Sequence, residues 1–329
     1  MTSPTGQGRS DPRPLLLVTP PPRLVAEATE AGFHVLTVTD TAGFPDDDAL
    51  GAHLAETART HRVSMLIACG EASVLPGVLE TAEQLGLSPN PAAAARLLAD
   101  PSQIRGLLTR SGPQWAAVAL PTGPRDGPLP YDIEYGVETL TAEGMHRVTG
   151  IVELRFTEPG VGSTGPASGP GQPSGGSEAV REDAPRHAFP APLTRQEEAE
   201  IRALATGLLD LAGYEFGYAF TRIAHTADGP RIINSRTQQA PWPASRLIEL
   251  TTGLVPEREL VRALSGKPME APVLVGCAAA VPLRGPHDAP EGITTLAGVR
   301  EVRDGHVLLT ALTPAELAVR TSAVLDHLA

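Results

Sequence analysis

The sequence predicts an α/β protein in which an N-terminal doubly wound parallel sheet is followed by an α+β region with antiparallel strands. Two observations lead to this fold class. Between residues 14 and 112, short apolar runs alternate with segments that have the apolar spacing of helices, an order typical of parallel sheets. Farther along the chain, strand-like segments follow one another with only a turn between them, as in antiparallel sheets.

The N-terminal alternation predicts a Rossmann-like domain. It consists of three strand-like runs and two helix-like separators, in chain order "PLLLVT", "RLVAEATEAG", "HVLTVTD", "ALGAHLAETARTH" and "VSMLIACG". The first strand is followed by "VTPPPRL" and not by G-x-G-x-x-G, so a dinucleotide site at this turn is not expected. We assign the domain to residues 14–112 and expect residues 1–13 to be a disordered N-terminus.

The next region should supply the first antiparallel strands. We expect a strand at Trp115–Leu120, then a loop rich in proline and glycine, then strands near Ile133–Leu140 and His146–Leu154 with "TAEG" as their turn. Residues 158–185 are rich in Gly, Pro and Ser and cannot bury a core, so we predict a flexible insertion there.

A helix and a hairpin follow the insertion. Thr194 and Glu197 predict a capping box, and Gly213 predicts the end of the helix. Its apolar face is expected to consist of Ile201, Leu204, Leu208 and Leu211. The hairpin "YAFTRIAHTADGPRIINSR" should turn at Asp228–Gly229.

The hairpin's second strand ends in a polar pair. Asn234 and Arg236 are two residues apart, and in a regular strand Ile232 would share their face. Residues 266–329 predict a small C-terminal α+β module, which leaves residues 113–265 as the core of the protein.

Composition restricts the functional class. The chain has 329 residues and a formal net charge of −12, so a binder of duplex nucleic acid is not expected. No apolar run approaches the roughly 18 residues of a membrane span, and the polar N-terminus has no apolar signal core. We therefore expect a cytoplasmic protein that does not bind membranes.

Cys69 and Cys277 lie in apolar runs, as buried thiols do.

Taken in this order, the chain resembles the ATP-grasp superfamily, specifically its carboxylate–amine ligases of the L-amino-acid (dipeptide) ligase type. The resemblance is carried by "LGLSPNPAAAARLLADPSQIRGLLTRSGP", "IEYGVETLTAEGMHRVTGIVE", "RHAFPAPL", "GYAFTRIAHTADGPRIINSR" and the C-terminal segment. The second segment is similar to the family's Glu-Tyr-Ser-Val-Glu strand, and the hairpin is similar to the one that carries metal ligands. The resemblance implies activation of a carboxylate by ATP and Mg²⁺ as an acyl phosphate, followed by attack of an amine.

Several positions depart from the pattern that the resemblance implies. A family glutamate falls on Arg222, and the metal-binding glutamate falls on Ile232, which leaves Asn234 and Arg236 of a Glu-x-Asn-x-Arg pattern. The family's Asp-Lys matches Asp100–Pro101, so a phosphate-binding lysine is replaced by proline. Only the segment "QWAAVALPTGPRDGPLP" separates the preceding helix from "YDIEYGVE". This segment is too short, and too often broken by proline, to form the small nucleotide-binding domain. We therefore predict an ATP-grasp-like core that lacks this domain and uses neither ATP nor Mg²⁺ as a cofactor.

The sequence offers candidate ligand-binding residues but no catalytic or metal-binding ones. The candidates are Glu134, Glu138, His187, Arg222, Asn234 and Arg236. The two glutamates share a strand face and are either a substrate pair or a solvated face, and His187 is either a ligand contact or a structural histidine. The two arginines with Asn234 between them predict a metal-free anion site, because a guanidinium binds carboxylate or phosphate bidentately. The alternative for Arg222 is a surface residue of an edge strand that points to solvent and pairs with a surface acid. Trp242 is either a pocket wall or a core anchor.

Two functions are compatible with these residues. In the first, the protein is a pseudoenzyme that has lost ATP- and Mg-dependent ligation. It would bind a small anionic ligand or pair with an intact ATP-grasp ligase in an amino-acid or peptide natural-product pathway, with a homodimer as one expected assembly. The alternative is an active carboxylate–amine ligase with a variant site. The sequence places no general base or nucleophile in a triad-like context, so the binding function is favoured.

Overall fold

The computed structural model describes residues 14–69, 75–119, 133–155, 186–283 and 289–328. The expected disordered N-terminus, the flexible insertion and most of the proline- and glycine-rich loop lie outside the described residues. No described helix is long and apolar enough to cross a membrane.

The N-terminal region is built around three parallel strands among the described residues, in the order β2-β1-β3. Its elements are β1 (Pro14–Val18), α1 (Pro22–Glu30), β2 (His34–Val38), α2 (Asp47–His61), β3 (Met65–Ala68) and α3 (Leu75–Gln84). Leu16 of β1 packs in a core with α2 and α3, whereas Leu15 on the other face packs with Leu24 of α1. Helices thus cover both faces, which confirms the predicted parallel sheet.

Three helices, α4 (Ala92–Ala99), α5 (Pro101–Arg110) and α6 (Pro113–Ala116), lead to the second sheet. The prediction of a strand that begins at Trp115 is wrong, because the short helix α6 begins at Pro113 instead. The first position of a helix suits the fixed φ angle of proline. The Trp115 ring lies so close to Gly207 that a Cβ there would be 2.4 Å from it. Of the described residues 115–119, only Ala119 makes a strand-like bridge, to Ile232.

The second sheet has eight strands within the described residues, in the order β10-β11-β9-β6-β5-β4-β7-β8, and each pair is antiparallel. The strands are β4 (Ile133–Ala142), β5 (Met145–Arg155), β6 (Arg186–Phe189), β7 (Gly217–Thr226), β8 (Gly229–Arg236), β9 (Cys277–Pro282), β10 (Val299–Arg303) and β11 (His306–Ala311). This confirms the antiparallel pairing expected for the two central hairpins. The strands of the C-terminal segment continue the same sheet through the pairing of β9 with β6.

Four helices pack on the second sheet or join it to the first: α7 (Arg195–Ala212), α8 (Ala244–Thr252), α9 (Pro256–Leu264) and α10 (Pro314–Leu328). Helix α7 covers β4, β7 and β8 on one face, which we call the back face, and α10 covers β9 and β11 there. Helix α8 packs on the opposite, front face with Phe189 and Phe220. Tyr218 of β7 and Leu140 of β4 contact α9 and β1, so the two sheets share one core.

Helix α7 begins and ends where the sequence predicts. Thr194 and Glu197 form the reciprocal capping box, and Gly213 ends the helix in the left-handed conformation with φ 67°. Ile201 and Leu208 are buried in the core on the back face. The neighbouring hairpin turns at Ala227 and Asp228, one residue earlier than expected.

Replacing Thr194 with alanine should destabilise the fold by about 1 kcal/mol, because the helix loses the side chain that accepts from the Glu197 amide. Urea unfolding measures the change. Thr109→Ala is the matched control, since the Thr109 hydroxyl only donates to the Arg105 carbonyl inside α5 and alanine is favourable in a helix interior. Equal losses in the two variants would contradict the capping role.

Both cysteines of the chain are described and are free thiols. Cys277 is buried, and burial raises the pKa of Cys69 to about 12. Burial also raises the pKa of Cys277, so neither thiol is a thiolate at neutral pH. The expectation of two buried thiols is confirmed for Cys277, whereas Cys69 is partly buried.

Candidate functional site

A β-bulge determines which side chains of β8 face the front of the sheet. Arg222 on β7 is opposite Asn234, but the next residue, Ile223, is opposite Ile232, so Ile233 is an extra residue in β8. Ile232 is 1% exposed in the core under α7, on the back face. The expectation that Ile232 shares a face with Asn234 and Arg236 is therefore wrong, because a bulge interrupts the alternation of side chains.

A cavity of about 280 Å³ lies on the front face of the sheet. We call it the front cavity, and it is lined by Leu154, His187, Phe220, Arg222, Asn234, Arg236, Gln238, Pro241, Trp242, Pro243 and Ala244. Four of the six candidates from the sequence, namely His187, Arg222, Asn234 and Arg236, thus share one space. Glu134 and Glu138 are not part of its lining, and both are 1% exposed.

The aromatic floor of the front cavity depends on a glycine. Phe220 lies across β4 at Gly136, where a Cβ would stand 2.3 Å from the Phe220 ring. Any other residue at this position would push the ring away, so Gly136 is required for the close approach. Phe220 also packs with α8, which places a rigid apolar surface beside the polar strand ends.

Arg222 is held in place by Glu134. Its Nε donates to Glu134 Oε2 at 2.7 Å, and its Nη2 contacts the same oxygen. The side chain of Glu134 is 2% exposed, against 34% for Arg222. Glu134 therefore orients the guanidinium at the cavity wall and offsets its charge, and it does not itself reach the cavity.

Arg236 is the less compensated cation of the front cavity. It is exposed, two residues after Asn234 on the same strand, and its side chain makes no ion pair or hydrogen bond with another described residue. The whole chain is strongly acidic, with a net charge of −12. The positive charge of Arg236 therefore attracts anions to the cavity locally, in contrast to the negative charge of the chain as a whole.

His187 adds a polar group without adding charge. Burial, and then the neighbouring His306, lower the pKa of His187 to about 4. The two ring centroids are 5.9 Å apart. At neutral pH His187 is thus a neutral imidazole, which can donate one hydrogen bond and accept another.

Comparison with known structures identifies the fold. No protein-family model and no curated protein matches the sequence. The L-amino acid ligase from Bacillus licheniformis superposes with a TM-score of 0.69 and 16% identity, over 96% of this chain and 98% of that one. The glycinamide-RNase-transformylase T from Mycobacterium tuberculosis gives 0.65 and 16%, over 96% and 100%. The chain has the fold of the ATP-grasp carboxylate–amine ligases.

A third structure extends the same result. The N5-carboxyaminoimidazole ribonucleotide synthetase from Thermotoga maritima has a TM-score of 0.65 and 11% identity, over 95% of this chain and 98% of that chain. At these identities the likeness establishes the ATP-grasp fold, and the chemistry of the site has to be argued from the residues present.

In this ATP-grasp fold, Glu138 supports the loop that closes the front cavity. Its Oε2 accepts from the Ala240 amide and its Oε1 from the Thr149 hydroxyl, both at 2.8 Å. Burial raises the pKa of Glu138 above its ordinary value. The carboxyl group thus lies under residues 237–243 and ties this loop to β4 and β5.

Trp242 has both of the roles that the sequence left open, because it lines the front cavity and also packs against the core formed by α8 and the sheet. Its ring lies 5.0 Å from the guanidinium carbon of Arg303, and its indole Nε1 is buried with no hydrogen-bond partner among the described residues. The sequence reasoning missed Phe220 and Gln238. Gln238 lies in a bend two residues beyond the end of β8, so the alternation of side chains along a strand does not extend to it.

Proposed function

We propose that this protein binds a small anionic ligand in the front cavity and does so without ATP or Mg²⁺. The observation that carries the proposal is the convergence of Arg222, Asn234 and Arg236 on one cavity of about 280 Å³. Guanidinium and amide groups are donors that suit the oxygens of a carboxylate or phosphate. Phe220 and Trp242 add apolar walls, so the ligand we expect is an anion with an apolar part.

The charge balance supports an anion more than a cation. Glu134 is bound to Arg222 and lies outside the cavity lining, and none of the described lining residues is acidic. Arg236 contributes a positive charge, and the indole Nε1 of Trp242 is a buried donor in need of an acceptor. Ligand oxygens would satisfy both groups at once.

The donor set around Arg222 does not fit a magnesium ion. Mg²⁺ prefers oxygen ligands that include one or two carboxylates, whereas this wall offers the amide of Asn234 and a guanidinium. Ile232, at the position of the implied metal ligand, lies on the back face of the sheet. No group of three or more His, Cys, Asp or Glu residues that could hold a metal occurs in the described part of the chain. These residues favour direct binding of the anion by arginine.

Titration with inorganic phosphate and with succinate, followed by NMR, tests the anion site. The chain has two tryptophans, and we expect saturable shifts of the Trp242 indole signal with little change at Trp115, which packs behind the sheet. Arg236→Ala should weaken binding by at least about tenfold, and Arg231→Ala, on the same strand outside the cavity, should not. Binding that is absent, or equal in both variants, would contradict the proposal.

Thermal unfolding with ATP and Mg²⁺ tests the nucleotide part of the proposal separately. A ligand present at 100 times its dissociation constant stabilises a fold by about 2.7 kcal/mol, a change that is readily measured. We expect no shift of the unfolding midpoint at millimolar ATP and Mg²⁺. A shift of several degrees would instead support an active ligase.

A further inference from the structure

A second cavity lies on the back face of the large sheet, between the segment that leads into α7 and the helix α10. Its volume is about 240 Å³. We call it the back cavity, and its walls come from Glu153, Ala188 and Ala279 on the strands, from residues 190–192, and from the inner side of α10. Leu154 and His187, the neighbours of Glu153 and Ala188, line the front cavity, so the two cavities lie on opposite faces of the same strands.

Small side chains create the back cavity. Ala188, Ala191, Ala279 and Ala318 all border it, and each side chain ends at Cβ. A longer side chain at any of these positions would occupy part of the space that the four methyl groups leave open. Leu317 and Leu325 complete an apolar wall.

Among the described residues that line the back cavity, the one that is charged already has a counter-charge. Glu153 is 1% exposed, and its Oε1 accepts from Arg155 Nε at 2.7 Å. The carboxylate therefore does not require a cationic ligand, and it disfavours an anionic one. Ser322 on α10 adds a neutral hydroxyl to the lining, which can bond to a polar atom of a ligand.

We propose that the back cavity is a binding site for a neutral, mainly apolar molecule of about the size of a bicyclic aromatic ring. An apolar cavity of about 150 Å³ holds benzene. The back cavity is larger, and the Ser322 hydroxyl lies in its wall. A concave, mainly apolar surface with a few polar groups is the usual form of a small-molecule site. The proposal is independent of the anion proposed for the front cavity.

Binding of 5-fluoroindole, followed by ¹⁹F NMR, tests the site with a neutral bicyclic probe. We expect saturable binding at millimolar or lower concentration. Ala318→Leu and Ser322→Leu, one turn apart on the inner side of α10, should each weaken it by at least about tenfold because the new side chain takes the place of the probe. Ala323→Leu makes the same change on the exposed side of α10 and should bind as the wild type does.

Three further measurements locate the probe without relying on the filling variants. In the wild type, the methyl signals of Leu317 and Leu325 should shift with the probe, while those of Leu247 on α8 should not. Arg236→Ala should bind the probe unchanged, and phosphate should not compete. The proposal is overturned if binding is absent, if the filling variants bind as well as Ala323→Leu does, or if the signals that move belong to the front cavity.

Discussion

Replacing Arg222 with methionine is expected to destabilise the fold by about 3 kcal/mol, because the change leaves the buried carboxylate of Glu134 without its partner. Glu134 is nearly inaccessible to water, whereas about a third of the Arg222 side chain is exposed. The larger part of the loss thus comes from the stranded carboxylate, and the smaller part from the ion pair itself. Urea unfolding at neutral pH measures it.

The double variant Arg222→Met with Glu134→Leu separates these two contributions. Removing both charges leaves no buried ion, so we expect it to recover most of the lost stability. Arg231→Met, on the neighbouring strand, is the matched control and should change stability little. If the double variant is as unstable as Arg222→Met, the packing of the arginine stem matters more than the pairing of the charges.

The ion pair also alters the roles of the two arginines in the proposed anion site. From the sequence, Arg222 and Arg236 are both expected to bind the anion. In the structure Arg222 shares its charge with Glu134, and Arg236 has no such partner among the described residues. We therefore expect Arg236 to contribute more to the affinity for an anion, and Arg222 to contribute more to stability.

The secondary structure around the site was accessible from the sequence because its signals are local. The capping box at Thr194 and the turn residues of the hairpin depend on neighbours along the chain. The strand expected at Trp115 failed for the opposite reason. An apolar run that follows a proline has similar local character in a strand and in a short helix. Pro113 suits the first position of a helix, and in that helix Trp115 packs on Gly207 of α7, a contact that the local sequence does not reveal.

The faces of the candidate residues were harder to predict than their strands. A single extra residue, Ile233, moves Ile232 to the back of the sheet, and no local pattern in "RIINSR" reveals a bulge. Likewise, Glu134 and Glu138 have the spacing of a surface pair but are both buried. Their partners, Arg222 and the Ala240 amide, lie far from them in sequence, so no local pattern reveals the burial. Such long-range partners decide whether a carboxylate contacts a ligand or supports the residues that do.

Replacing Glu138 with alanine is expected to cost about 3 kcal/mol, because it leaves the buried amide of Ala240 without an acceptor and opens a void beneath the loop. The loop at residues 237–243 forms one wall of the front cavity. We therefore expect the same variant to bind phosphate more weakly than the wild type, although Glu138 does not line the cavity. Unfolding and the NMR titration, performed on the same preparation, measure the two effects.

Glutamine at position 138 should restore both properties. Its amide oxygen can accept from the Ala240 amide, and its NH₂ group can donate to the Thr149 hydroxyl, whose own hydrogen can point to the Glu138 carbonyl oxygen, 3.3 Å away. Glu143→Gln, at the exposed turn between β4 and β5, is the matched control for the loss of a charge. A glutamine variant as unstable as the alanine variant would show that the bonds require a carboxylate.

The dependence of stability on pH provides a further test of the Glu138 environment. Burial raises the pKa of Glu138, so the folded protein binds this proton more tightly than the unfolded chain does. The free energy of unfolding of the wild type should therefore fall as the pH rises from the ordinary pKa of a glutamate to the raised pKa of Glu138. Above the raised pKa, Glu138 should cause no further fall. Glu138→Gln has no proton to release there, so its stability relative to the wild type should increase across the same interval. A difference that stays constant with pH would mean that Glu138 titrates alike in the folded and unfolded chains.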